Sequence, residues 1–189
     1  RENIGYFNPR GEPLMSIIGG HPYIDVRNSL NSLTPFKLPQ DLRKKISEEA
    51  ITYFHNNPEL HDKFEFEIAF NCYNPNVSKF EKRWAKAGLS KSEIIKIKKI
   101  YLNHTTDILN GKYGKIEDFL KKLYILENIR EHNLRGIGPD NRVQSVKQLL
   151  RYCKSYGTTT FSSLARYSFI GSAFLSSFVS YNIINKLDK

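Results

Sequence analysis

The residues best suited to chemistry lie in two segments near the ends of the chain. The first is Gly19-Gly-His-Pro-Tyr-Ile-Asp-Val-Arg-Asn-Ser-Leu-Asn-Ser-Leu-Thr-Pro35. The second is Cys153-Lys-Ser-Tyr-Gly-Thr-Thr-Thr-Phe-Ser-Ser-Leu-Ala-Arg-Tyr-Ser-Phe-Ile170. On a strand, Tyr23, Asp25 and Arg27 point to one side, because side chains alternate across a pleated backbone. A guanidinium there grips a carboxylate or phosphate through paired N–H donors. Asp25 can orient Arg27, and His21 stands beside them. An Asp–Arg pair that pins a hairpin to a helix explains the same residues. In the second segment Lys154, Tyr156, Thr158, Thr159, Thr160, Ser162, Ser163 and Arg166 surround an expected helix start, where free amides favour an anion. A run of capping hydroxyls is the alternative. The candidate ligand contacts, for phosphate or carboxylate, are therefore Arg27, Asp25, His21, Arg166 and Lys154. Neither segment holds a nucleophile or a general base, so no catalytic residue is assigned.

Two further constellations lead elsewhere. His55, His61, Asp62, Glu65 and Glu67 cluster in sequence, but a metal needs convergent ligands. No HExxH or similar spacing occurs, and the cluster reads as a solvated strand face, so no metal is assigned. Gly136-Ile-Gly-Pro139 lies between two expected helices and has the look of a phosphate-holding glycine hairpin from helix-hairpin-helix DNA-binding modules. Arg142 stands where that motif wants a small residue, and Asp140 places an anion where a phosphate would sit. A plain helix–helix turn accounts for it.

The elements that must position these groups are mainly helical. An extended start contains two short apolar runs, Leu14–Ile18 and Tyr23–Val26, joined by the turn signal Gly19-Gly20, which together predict a hairpin. Pro35 and Pro39 bracket a loop. Asp41 is a natural N-cap for a helix carrying Leu42, Ile46, Ala50, Tyr53 and Phe54 up to Asn56-Asn57-Pro58. Phe64, Phe66, Ile68, Phe70 and Cys72 alternate with Glu65, Glu67, Ala69, Asn71 and Tyr73, a period of two that predicts a strand. Helices follow over Phe80–Ala87, from the capping box Ser90/Glu93 to Asn110-Gly111, and over Lys115–Asn133. Asp140 can cap another through Cys153, and Gly157 punctuates before a last helix to about Leu187. The fold class is mainly α with a small antiparallel β element, a helical bundle around a buried, uncharged C-terminal helix. One domain is expected over 1–189, with an extended, β-containing part at 1–77 and a helical part at 78–189.

That last helix has no charged side chain from Tyr167 to Asn185, close to the ~20 residues a membrane span needs. Its row of Ser168, Ser172, Ser176 and Ser180 favours a soluble bundle helix that a neighbouring backbone approaches closely. The chain has 189 residues and a net charge of +10, with 40% hydrophobic and 25% charged residues. That composition excludes a disordered chain and permits a sizeable core. Residues 1–78 carry 8 basic and 10 acidic side chains, residues 79–135 carry 14 and 7, and residues 136–189 carry 7 and 2. A basic second half can meet phosphates or an acidic neighbour, or reflect lysine-rich helix surfaces. Two cysteines, Cys72 and Cys153, cannot make a disulfide framework and read as buried free thiols of a cytoplasmic protein. The chain starts at Arg1 with no signal region, which fits an excerpt of a longer polypeptide.

An ordered set of segments carries a resemblance: Gly20-His-Pro-Tyr-Ile-Asp-Val-Arg27 with Asn31-Ser32, Pro58-Glu-Leu-His-Asp-Lys-Phe-Glu-Phe-Glu-Ile68, Cys153-Lys-Ser-Tyr-Gly157 and Phe161-Ser-Ser-Leu-Ala-Arg166. Together they resemble the middle region of bacterial phosphoenolpyruvate-utilising proteins related to phosphoenolpyruvate synthase and pyruvate phosphate dikinase. The resemblance implies a multidomain, ATP-dependent phosphotransferase (a kinase in the broad sense). An ATP-grasp-like domain would precede this segment and a swivelling phosphohistidine domain would follow it. ATP and Mg are expected for the parent enzyme and no cofactor for this fragment. The implied partners are other domains of the same polypeptide and phosphoenolpyruvate or pyruvate, with neither membrane nor nucleic acid. The chain has no glycine-rich phosphate loop, and His104-Thr105 reverses the Thr-His order of a phosphohistidine site. The implied role is a domain that scaffolds or faces the catalytic domains and is not active alone. The alternatives are a basic nucleic-acid-binding helical module and a structural domain without ligand.

Overall fold

The Gly19-Gly20 signal forms the turn it predicts. Both glycines have positive φ, 59° and 81°, the conformation a two-residue hairpin turn requires and only glycine adopts freely. They join β1 (Met15–Ile18) to β2 (His21–Ile24), which pair antiparallel from Met15↔Ile24 to Ile18↔His21. The computed structural model describes residues 4–9, 11–135 and 142–185. Within them the chain is mainly α, with seven α-helices and this one small antiparallel sheet.

Strand β2 stops at Ile24, short of the Val26 end of the predicted apolar run, because Asp25 starts a helix. The Asp25 carboxylate accepts from the Asn28 backbone N–H at 2.8 Å and caps a short helix, α1 (Val26–Asn31). Helix α2 (Gln40–His55) begins one residue before Asp41, which falls in its first turn, so Pro39 rather than Asp41 is the N-cap. The expected apolar face of α2 is packed, with Leu42, Ile46 and Ala50 buried.

The predicted strand over 64–73 does not form. Pro58–Lys63 is a 3-10 turn, Phe64–Ile68 is a short π-helix, and only the following residues are extended. A strand needs a partner for its N–H and C=O groups. Here helical bonds and side chains satisfy them instead. The Arg83 guanidinium donates to the carbonyls of Glu67 (3.0 Å) and Ile68 (3.1 Å), and the Asn71 amide donates to the Glu65 carbonyl (2.9 Å). The extended residues run through the middle of the molecule. Ile68 and Ala69 pack with Leu30, Leu33 and Ala50, Phe70 packs with Phe80, Trp84 and Tyr101, and Cys72 packs with Ile4, Tyr6, Ile108, Phe119 and Ile170. The β-containing and helical parts of the chain therefore share cores.

Helix α3 (Val77–Lys86) precedes α4 (Lys91–Leu109), whose N-terminus carries the expected capping box between Ser90 and Glu93. Helix α5 spans Ile116–Arg135 and α6 spans Arg142–Tyr152. The Gly136–Pro139 turn and the Asp140 cap lie outside the described residues. Gly157 does not interrupt the chain. It sits in a π-helical segment, Cys153–Thr158, that leads directly into α7 (Thr159–Ser180). A Cβ on Gly157 would lie 3.2 Å from Leu126, so this glycine serves close packing of α5. Helix α7 ends earlier than expected, at Ser180, and Asn182 stops it. That residue takes the left-handed φ of 57° while the N–H groups of Asn182 and Ile183 bond back to Val179 and Phe178, a Schellman stop. Only one stripe of α7 is buried: Thr160, Ser163, Arg166, Ile170 and Ser177. Small hydroxyls do line the close contact, but Ser168 and Ser180 of the predicted serine row are exposed. Among the described residues no helix is long and apolar enough to cross a membrane.

Candidate functional site

A sizeable cleft on the described surface is built by four pieces of chain. Gly5, Phe7 and Asn8 form one wall, Pro35, Phe36 and Lys37 the second, and Ile100, Asn103, His104 and Asp107 of α4 the third. Tyr113 closes the end, and the volume is about 740 Å³. Backbone pairing holds the first two walls together. The Phe7 N–H donates to the Thr34 carbonyl (2.9 Å) and the Phe36 N–H to the Gly5 carbonyl (2.8 Å), flanking a bridge between Tyr6 and Pro35. Arg43 braces them from inside. Its guanidinium donates to Thr34 Oγ1 (2.9 Å) and the Leu38 carbonyl (2.7 Å) and lies 3.7 Å from the centroid of the Phe7 ring.

Gly5 is required where it stands. Its φ is 73°, and a Cβ there would meet the Tyr113 ring at 2.5 Å. Glycine therefore lets Tyr113 press against the backbone and shut the cleft. His104 stands behind it, with its ring edge-on to Tyr6 at 4.5 Å. His104 is 5% exposed, and its Nε2 is buried without a hydrogen-bond partner. Burial lowers its pKa to about 4, helped by Lys37 and opposed by Asp107. The hydrogen bond from Lys112 (2.8 Å) holds the Asp107 carboxyl below the usual range, whereas burial and then Asp107 raise the Tyr113 phenol. At neutral pH the cleft thus presents a neutral imidazole, a protonated phenol, a paired carboxylate and one lysine. These are groups that bind.

The residues singled out from sequence lie elsewhere and have different surroundings. Asp25 caps α1, and Arg27 points to Glu48 at 3.7 Å with both side chains about half exposed. The shared strand face expected for Tyr23, Asp25 and Arg27 is therefore absent, since the strand ends at Ile24. His21 is exposed on β2, opposite Ile18. Lys154 is exposed in the π-helical segment. Arg166 is buried on α7. It donates to the Ser162 carbonyl (3.0 Å) and hydroxyl (2.9 Å) and lies over the Tyr6 ring at 5.5 Å. Arg166 thus ties α7 to the N-terminal segment and stands inside a continuous helix, not at a helix N-terminus. Cys72 is buried as expected, but Cys153 is exposed. Among the described residues no group of three or more His, Cys, Asp or Glu side chains is arranged to hold a metal ion.

Sequence reasoning passed over the cleft. Its one available signal is in α4, where Ile100, Asn103, His104 and Asp107 follow i, i+3, i+4, i+7 spacing. A polar-tinged stripe occupies positions that periodicity assigns to a core face. No protein-family model, curated protein or solved structure matches this chain.

Proposed function

We propose that this chain is a non-catalytic helical domain of an ATP-dependent, phosphoenolpyruvate synthase-like phosphotransfer protein, where it scaffolds and docks against the nucleotide and phosphohistidine domains. The observation that carries the reading is the β1–β2 hairpin. Met15, Ile17, Ile18, Tyr23 and Ile24 are 51–71% exposed, apolar on both faces of a two-stranded sheet. A hairpin of this kind is marginal without a covering surface. It also overlaps the segment Gly20–Arg27 on which the family resemblance rests. The occupant we assign to it is a neighbouring domain of the same polypeptide. Exposed Ile116, Leu120, Leu123 and Tyr124 on α5 and Val143, Val146 and Leu150 on α6 add a second apolar surface of the same character. The cytoplasm is the compartment proposed. ATP and magnesium belong, on this reading, to the flanking domains, and phosphoenolpyruvate or pyruvate reaches this one only at their interface.

Amide hydrogen exchange tests the docking, comparing the 189-residue chain with the polypeptide that contains the flanking domains. Residues 15–24 are expected to exchange fast in the former and to be protected in the latter. Ile17→Asp with Ile24→Asp is expected to leave the melting of the chain unchanged and to lower pyruvate- and ATP-dependent phosphotransfer by the polypeptide. Equal exchange in both, or phosphotransfer by the 189-residue chain alone, overturns the reading.

A further inference from the structure

The cleft beside His104 is independent of the hairpin and of the docking role. Its volume, about 740 Å³, falls within the range of roughly 300–1,000 Å³ that small-molecule sites occupy. Three features say that it is built to hold something flat. Phe7, Phe36 and Tyr113 contribute rings to a lining that is mainly apolar. Phe36 is 64% exposed, a large apolar residue left open at the cleft instead of being packed away. The walls are fixed in advance by the Tyr6–Pro35 bridge and by Arg43 beneath Phe7, so little ordering is needed on binding.

The polar groups narrow the class. Asn103 and Asp107 are one turn apart on α4, so an amide and a carboxylate share one helix face. Together they offer both donor and acceptor capacity to the edge of a ring. His104 adds a buried imidazole whose Nε2 has no partner, a state that a folded protein tolerates only at a cost. Charge in the cleft is small, because Asp107 is paired with Lys112 and Lys37 is the remaining cation of the lining. A polyphosphate finds no basic cradle here, and a sugar would meet too much apolar wall. We propose that this cleft binds a neutral planar heteroaromatic ligand of the nucleobase or nucleoside class, its ring stacked on Phe36 and its hydrogen-bonding edge read by Asn103 and Asp107.

The test uses the 189-residue chain with adenosine, guanosine and uridine as probes, glucose as the carbohydrate control and indole as a ring without a base edge. Isothermal titration and saturation-transfer NMR read the binding. At least one nucleoside is expected to bind saturably and more tightly than glucose or indole. Phe36→Ala, which removes an exposed side chain and leaves the fold intact, is expected to weaken that binding about tenfold or more, the usual worth of one stacked base. Asn103→Leu is expected to weaken the nucleoside and spare indole. Absence of nucleoside binding, equal or tighter binding of glucose or indole, or binding unaffected by both substitutions overturns the proposal. None of these outcomes depends on whether the hairpin docks.

Discussion

Arg83 offers the sharpest test of how the unexpected π-helical turn is held. Its Nε and Nη2 donate to the two carboxylate oxygens of Glu49 at 2.8 and 3.0 Å, and both side chains are nearly buried, 10% and 8% exposed. The same guanidinium donates to the carbonyls of Glu67 and Ile68 and stacks 3.8 Å from the Tyr53 ring centroid. Arg83→Met keeps the aliphatic stem and removes every one of those donors. Glu49 is then a buried charge without its partner, and two carbonyls lose theirs. Breaking a buried pair from one side costs about 3–5 kcal/mol, which for a chain of this size lowers Tm by about 6–20 °C. Arg83→Met with Glu49→Leu removes both charges. Its remaining cost is the two carbonyls, about 1 kcal/mol each, so the double variant is expected to be more stable than the single one. Urea titration followed by far-ultraviolet circular dichroism measures both, and hydrogen exchange at 64–70 shows whether the loss starts in the π-helical turn. A single variant that costs under about 1 kcal/mol, or a double variant no better than the single, refutes the account.

Three further outcomes follow from the geometry. His104 is held neutral in the fold, with a pKa of about 4 against an ordinary 6.5. The unfolded chain therefore takes up this proton first as pH falls, so the contribution is complete above pH 6.5 and is lost between 6.5 and 4. Denaturant titrations are expected to show a loss of up to about 3 kcal/mol across that window, and His104→Leu to flatten it. Ser90→Ala removes the hydroxyl that accepts from the Glu93 N–H and is expected to cost about 1 kcal/mol in thermal melting, with Glu93→Ala on top adding less than it does alone. Burial raises the Cys72 thiol to about 12 while Cys153 is exposed. A thiol reagent at about pH 7.5 is expected to label Cys153 alone in the native chain and both cysteines in urea.

Elements whose determinants are local were legible from the chain itself. The capping box fixes the start of α4, Asn110-Gly111 marks its end, and the diglycine sets the hairpin turn, because each depends on residues a few positions apart. The segment 64–73 was misread for a complementary reason. Alternating Phe and Glu specify a strand only if another strand is there to pair with, and the groups that actually meet this backbone, Arg83 and Asn71, come from outside the apolar pattern. Helix α1 was missed because Asp25 spends its carboxylate on the Asn28 N–H. The same residue in a strand would face Arg27, and nothing in the spacing chooses between the two.

The site divides along the same line. Residue types alone marked Arg27 and Arg166 as anion ligands, yet the fold gives one an exposed partner in Glu48 and buries the other beside Ser162 and Tyr6. Conversely, Gly5, Phe36, Asn103 and Tyr113 carry no motif, and they become a cleft only when the N-terminal segment bridges Pro35 over α4. The sequence by itself determined most of the long helices, the Ser90/Glu93 capping box, the hairpin turn and the mainly α class, since hydrophobic periodicity and turn chemistry act over one or two turns of chain. Tertiary structure alone decided which polar groups face one another, because a guanidinium or an imidazole acquires its role from whatever distant backbone burial places beside it.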